Sequence, residues 1–149
     1  MPTRYSLPEC LEGRADPAAY ERWLRRKAAA HLKRDRKRCN WQITGEEYRL
    51  QIHEAVKRCG ARDHYTGEEL RWDLLSKYSN DESKAGRSAY KAEFALLPTA
   101  DHVPGADGKY DFVICAWRTN DAKNDLSHDE FVDLCRKVIA HHEKQAATK

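Results

Sequence analysis

Residues 97–125 read LPTADHVPGADGKYDFVICAWRTNDAKND. Leu97-Pro98 runs into Asp101-His102, and Tyr110–Cys115 is the better strand of the two. Between them, Val103–Lys109 carries Pro104, Gly105 and Gly108, which predicts a loop rather than a tight hairpin turn. Trp117–Lys123 suits a short helix. Strand, loop, strand and short helix in that order predict a small α+β unit.

The polar residues of this stretch carry its chemistry. A carboxylate at Asp101 stands beside an imidazole at His102, and amides return at Asn120 and Asn124. Carboxylate and amide oxygens make a hard site for a divalent cation, with a base next to it. His102, with an ordinary pKa near ~6.5, takes a proton from water at neutral pH, a role worth ~10²–10⁴-fold in rate. Neighbours on a regular strand point to opposite faces. One site for Asp101 and His102 therefore calls for a bend at the strand end, with Pro98 and Pro104 flanking it. Asn120 and Asn124, at i and i+4, share one helix face. Such donors suit Mg²⁺ or Mn²⁺ better than zinc. The plainer readings are a surface Asp-His pair before a turn, and asparagines that cap a helix.

The pattern D-H-x8-D-x8-N-x3-N resembles the HNH, or ββα-metal, nuclease family over about Tyr65–Ile139, half of the chain. Tyr65-Thr-Gly-Glu-Glu-Leu70 resembles a phrase found upstream of D-H in some of its bacterial members. In the family phrase C-N-x-x-K, Thr119 here replaces the cysteine, while Asn120 and Lys123 match. The resemblance implies a metal-dependent endonuclease, with His102 as general base and Asp101, Asn120 and Asn124 as candidate metal ligands. Asp111 stands where the family has the asparagine that orients the catalytic histidine; an aspartate accepts from an imidazole N–H but donates nothing. Some relatives carry a cysteine zinc site. Cys10, Cys39, Cys59, Cys115 and Cys135 include no C-x-x-C pair, so neither structural zinc nor a disulfide framework is expected.

Charge points to a partner. From Arg22 to Arg38 nine cations (Arg22, Arg25, Arg26, Lys27, Lys33, Arg34, Arg36, Lys37 and Arg38) face a single acid, Asp35. This segment carries +8, which leaves the rest of the chain at −5 within an overall +3. A basic block of that density fits a polyanion, here double-stranded DNA held by its phosphates. Arg25, Arg26, Lys33, Arg34, Arg36, Lys37 and Arg38, helped by Arg118 and Lys123, are the candidate phosphate contacts. Two competing readings keep the basic block without the chemistry. One is a non-catalytic nucleic-acid-binding protein on an HNH scaffold; the other is an accessory module whose helix meets an acidic protein.

The remaining organisation follows from local signals. Residues 1–16 are expected as an extended leader, 17–60 as a basic helical arm and a second helix, and 61–149 as the nuclease-like core with a C-terminal helix. Asp16-Pro17 starts the first helix, Thr44 to Glu47 and Ser127 to Glu130 form capping boxes, and Gly60 is a C-cap. Phe131, Leu134, Cys135, Val138 and Ile139 at helical spacing predict an inward face for the last helix, with Cys115 and Cys135 as small core residues. No apolar run reaches the ~18 residues of a membrane span, and no signal-peptide core opens the chain, so cytoplasmic residence is the expectation.

Overall fold

Asp16 begins the first helix as its sequence predicts: the carboxylate accepts the backbone N–H of Ala19 at 2.9 Å. The computed structural model describes residues 5–39, 43–77, 85, 86, 89, 92–105 and 110–148; residues 106–109 of the expected loop and the Arg38 side chain lie outside them. Helix α1 spans Pro17–Cys39 and α2 spans Gly45–Cys59. Thr44 and Glu47 close the expected capping box on α2, and Gly60 ends it at φ 60°. Strands β1 (Pro98–Pro104) and β2 (Tyr110–Ala116) form a two-stranded antiparallel sheet. Helix α3 (Trp117–Lys123) follows β2 directly, and α4 (His128–Ala147) opens on the Ser127–Glu130 capping box. The protein is α+β.

One apolar cluster joins α1, α2, β1 and β2. It includes Leu11, Tyr20, Trp23 and Leu24 with Tyr48, Ile52 and Val56 of α2, Leu70 and Trp72 of the following turn, and Phe112 and Ile114 of β2. Each large side chain removed from water stabilises by ~1.5–3 kcal/mol. The segment expected as an arm is thus part of the core. Its buried members Tyr20, Trp23, Leu24, Ala28, His31 and Asp35 recur at helical spacing, leaving Arg22, Arg25, Arg26, Lys33, Arg36 and Lys37 on the outer face. The leader also departs from expectation: Leu11, in a 3-10 turn at Glu9–Leu11, is fully buried.

Helix α1 covers the unpaired edge of β1. Trp23 Nε1 donates to the Pro98 carbonyl at 3.1 Å, Lys27 Nζ to Thr99 Oγ1 at 3.1 Å, and His31 Nε2 to the Ala100 carbonyl at 3.0 Å. A bare edge carbonyl inside a fold costs free energy unless something donates to it. Trp23 and His31, two helical steps apart on one face, supply donors to the two carbonyls, and Lys27 between them reaches the Thr99 hydroxyl.

A buried carboxylate ties the Tyr65-Thr-Gly turn to the end of β2. Asp63 Oδ1 accepts the N–H groups of Tyr65 (2.7 Å) and Thr66 (3.2 Å). Its Oδ2 accepts the Ala116 N–H at 2.9 Å and the Thr119 hydroxyl at 2.7 Å. Four donors repay the burial of this charge.

The last helix contradicts its expected packing. None of the residues of α4 is buried; Leu134, Val138 and Ile139 are 45%, 62% and 55% exposed, and Cys135 is exposed as well. The apolar spacing is real, but among the described residues no element covers that face. Cys115, in contrast, is fully buried.

Candidate functional site

Asp101 and His102 lie in regular register, opposite Val113 and Phe112, so no strand bend brings them together. The edge of the sheet does that instead. A cleft of about 430 Å³ runs along β1, walled by Lys27, His31 and Arg34 of α1 on one side and by Asn120, Asp121 and Asn124 on the other. Because the cleft follows an edge, it meets side chains from both faces of the strand, and Asp101 and His102 both line it. A second cavity of about 520 Å³ adjoins it, sharing Asp101, His102 and Asn124 and adding Asp35, Tyr65 and Lys123.

His102 is held from the helix side. Its Nε2 lies 2.8 Å from Asp35 Oδ2, and the same oxygen accepts the Tyr48 hydroxyl. The His31 ring stands edge-on to it at 4.4 Å between centroids. Burial pushes the His102 pKa below the usual histidine value, while the Asp35 charge pulls it back up. Net neutrality at pH 7 is the protonation state a general base needs.

His31 is neutral for a firmer reason. Its Nε2 must carry the proton to meet the Ala100 carbonyl, so Nδ1 accepts from Arg34 at 3.1 Å. Burial, with His102 and Arg34 beside it, pushes its pKa down to about 3. Lys27 is likewise lowered, first by burial and then by Arg26 and Arg34.

Asp101 is half engaged. Its Oδ2 accepts the Tyr65 hydroxyl at 2.6 Å and pairs with Lys123 Nζ at 3.1 Å. The Tyr65 hydroxyl is pushed up by burial and by Asp101, which keeps it a donor. Among the described contacts Oδ1 of Asp101 carries no hydrogen bond. With Asn120 across the cleft, the residues present fit a hard cation that keeps most of its waters, the usual habit of Mg²⁺. Asn124 caps α3 at φ 49° and donates its N–H to the Asn120 carbonyl at 2.9 Å, so it combines the cap role with a place in the cleft wall.

Three of the predicted residues lie elsewhere than expected. Asp111 does not face His102: its carboxylate caps its own strand at Phe112 N (2.8 Å) and sits 3.6 Å from Arg58. The register explains this, since Phe112 is opposite His102 and residue 111 then points to the other face. Lys123 is only 5% exposed and pairs with Asp101 at the wall of the second cavity rather than standing on the outer surface. Arg118 is tied to Glu68, away from the cleft.

Of the described cations of the basic helix, Lys27 and Arg34 wall the cleft. Arg25, Arg26, Lys33, Arg36 and Lys37 are exposed on the outer face of α1. Arg25 pairs with Glu21, Arg26 reaches Ser76, and Arg36 donates to the Ile43 carbonyl at 2.9 Å. Asp35, His31, Tyr48 and Tyr65 join the site although no motif in the sequence points to them as site residues. Asp35 had one visible signal, as the lone acid within the cationic run. Among the described residues no helix is long and apolar enough to cross a membrane. Comparison with protein-family models, with curated proteins and with solved structures finds no match to this chain.

Proposed function

We propose that this chain is a metal-dependent endonuclease with a ββα-metal, HNH-like site acting on DNA. The observation that carries the reading is the sharing of one cleft by Asp101, His102 and Asn120, with Lys27 and Arg34 on the opposite wall. The order β1, β2, α3 is the one the HNH resemblance implies.

In the proposed reaction His102 takes a proton from water through Nδ1, since its Nε2 faces a carboxylate that only accepts. The water oxygen attacks phosphorus in line as the bond to the 3′ oxygen breaks, and that oxygen takes a proton from solvent. Asp101 and Asn120 would hold Mg²⁺ or Mn²⁺, which would supply positive charge to offset the charge that develops in phosphodiester cleavage. Arg34 and Lys27 face the strand from the α1 wall, and the outer cations of α1 hold more distant phosphates.

One observation favours a non-catalytic nucleic-acid-binding protein instead: Lys123 already neutralises one oxygen of Asp101. Plasmid nicking with and without Mg²⁺, by the wild type and by His102→Ala, separates the two. The nuclease reading expects nicking that needs both the cation and His102; DNA binding without Mg²⁺-dependent nicking gives the protein to the second reading.

A further inference from the structure

We infer that Asp35, on the basic helix and distant in sequence from the strand-loop-strand segment, is the positioning residue that sets the tautomer and orientation of His102. The inference concerns the same site and takes its catalytic meaning from the nuclease reading above.

Three observations carry it. Asp35 is only 2% exposed, and a buried carboxylate is costly unless fully engaged. Its Oδ2 accepts from two donors on different elements, the Tyr48 hydroxyl of α2 and His102 Nε2 of β1 at 2.8 Å. The residue that family resemblance would assign to this duty, Asp111, is turned away by the register of the sheet. A carboxylate has no proton to give, so the imidazole proton stays on Nε2 and the lone pair stays on Nδ1. Trp23, Lys27, His31 and Asp35 follow one another at four-residue steps, and each engages β1 between Pro98 and His102. The helix whose outer face offers cations to phosphate therefore also holds the base, so substrate anchoring and base geometry share one rigid element.

The first test needs no variant. Nitrogen chemical shifts of the His102 ring, read in the wild type at mildly alkaline pH, should report protonated Nε2 and bare Nδ1; protonated Nδ1 would overturn the inference. The second is Asp35→Asn, which keeps the shape and can donate as well as accept. Single-turnover cleavage should fall by ~10–100-fold, the usual cost of losing an outer-shell partner. The DNA dissociation constant should stay within about threefold, and the Nε2–H preference should be lost. A folded Asp35→Asn protein with wild-type rate and unchanged ring shifts would assign Asp35 to holding α1 on α2 through Tyr48 alone. If the wild type does not cleave at all, the nuclease reading fails, and the ring shifts still decide whether Asp35 sets the imidazole.

Discussion

Lys123 Nζ lies 3.1 Å from Asp101 Oδ2, with the two side chains 6% and 12% exposed. The buried cation occupies one oxygen of the carboxylate that the proposed metal would use through the other. Removing it leaves a buried charge unpaired, which costs ~3–5 kcal/mol. Lys123→Met should lose stability of that order in chelator. It should also recover more of it on adding Mg²⁺ than the wild type gains, because a cation then replaces the ammonium. Urea unfolding with and without Mg²⁺ reads both effects, and an identical Mg²⁺ response in the two proteins would remove Asp101 from the metal site.

His102→Ala should lower Mg²⁺-dependent cleavage by ~10²–10⁴-fold, the span expected for a general base. DNA binding should persist, because the outer cations of α1 are untouched. Cleavage retained within about tenfold would give proton transfer to another group.

Arg22, Lys33 and Lys37 are exposed on the outer face of α1. Replacing these three by Gln should lower the slope of log K against log [salt] by up to about 3 units, at ~0.9 per lost phosphate contact. The weakening should be the same on unrelated duplexes, since phosphates carry no base information. An unchanged slope would assign the basic face to a protein partner.

Acid should unfold this protein through its buried imidazoles. Burial holds the His31 pKa down at about 3 in the folded protein, well below the usual histidine value. Between those two pH values the unfolded chain binds the proton and the folded one does not. Stability is therefore complete above ~6.5 and falls as pH drops, by up to ~1.4 kcal/mol per pH unit for this residue. His53 and His102 are lowered too and add in the same direction. Urea midpoints taken from neutral to acid pH should show a shallower decline in His31→Gln, whose amide still donates to the Ala100 carbonyl; parallel curves would refute the assignment.

The fully buried Phe112 contacts the rings of His31, His102 and Tyr48. Phe112→Ala should cost ~3–5 kcal/mol. Val138→Ala and Ile139→Ala, on the exposed face of α4, should each stay within ~0.5 kcal/mol. Denaturant titration compares them directly, and a large loss at Val138 would show that α4 has a partner face in solution.

Local signals in the sequence determined the helices and their ends. Asp16, the Thr44 and Ser127 boxes and Gly60 act on N–H and carbonyl groups within a few residues, so their effect is readable without a fold. The same holds for the strands around Asp101-His102 and for the short helix bearing Asn120. Parity was beyond reach: whether residue 111 or 112 faces His102 depends on a register, and a one-residue change moves every side chain to the other face. The apolar period of α4 marks a face but names no partner for it, and among the described residues nothing covers it. Asp35 and Asp63 engage groups 67 and 56 residues away in the chain, so only tertiary packing could turn one acid among nine cations into the partner of His102. Short-range hydrogen bonding and periodicity are written along the chain; long-range pairing of buried charge is decided when the helix closes on the strand edge.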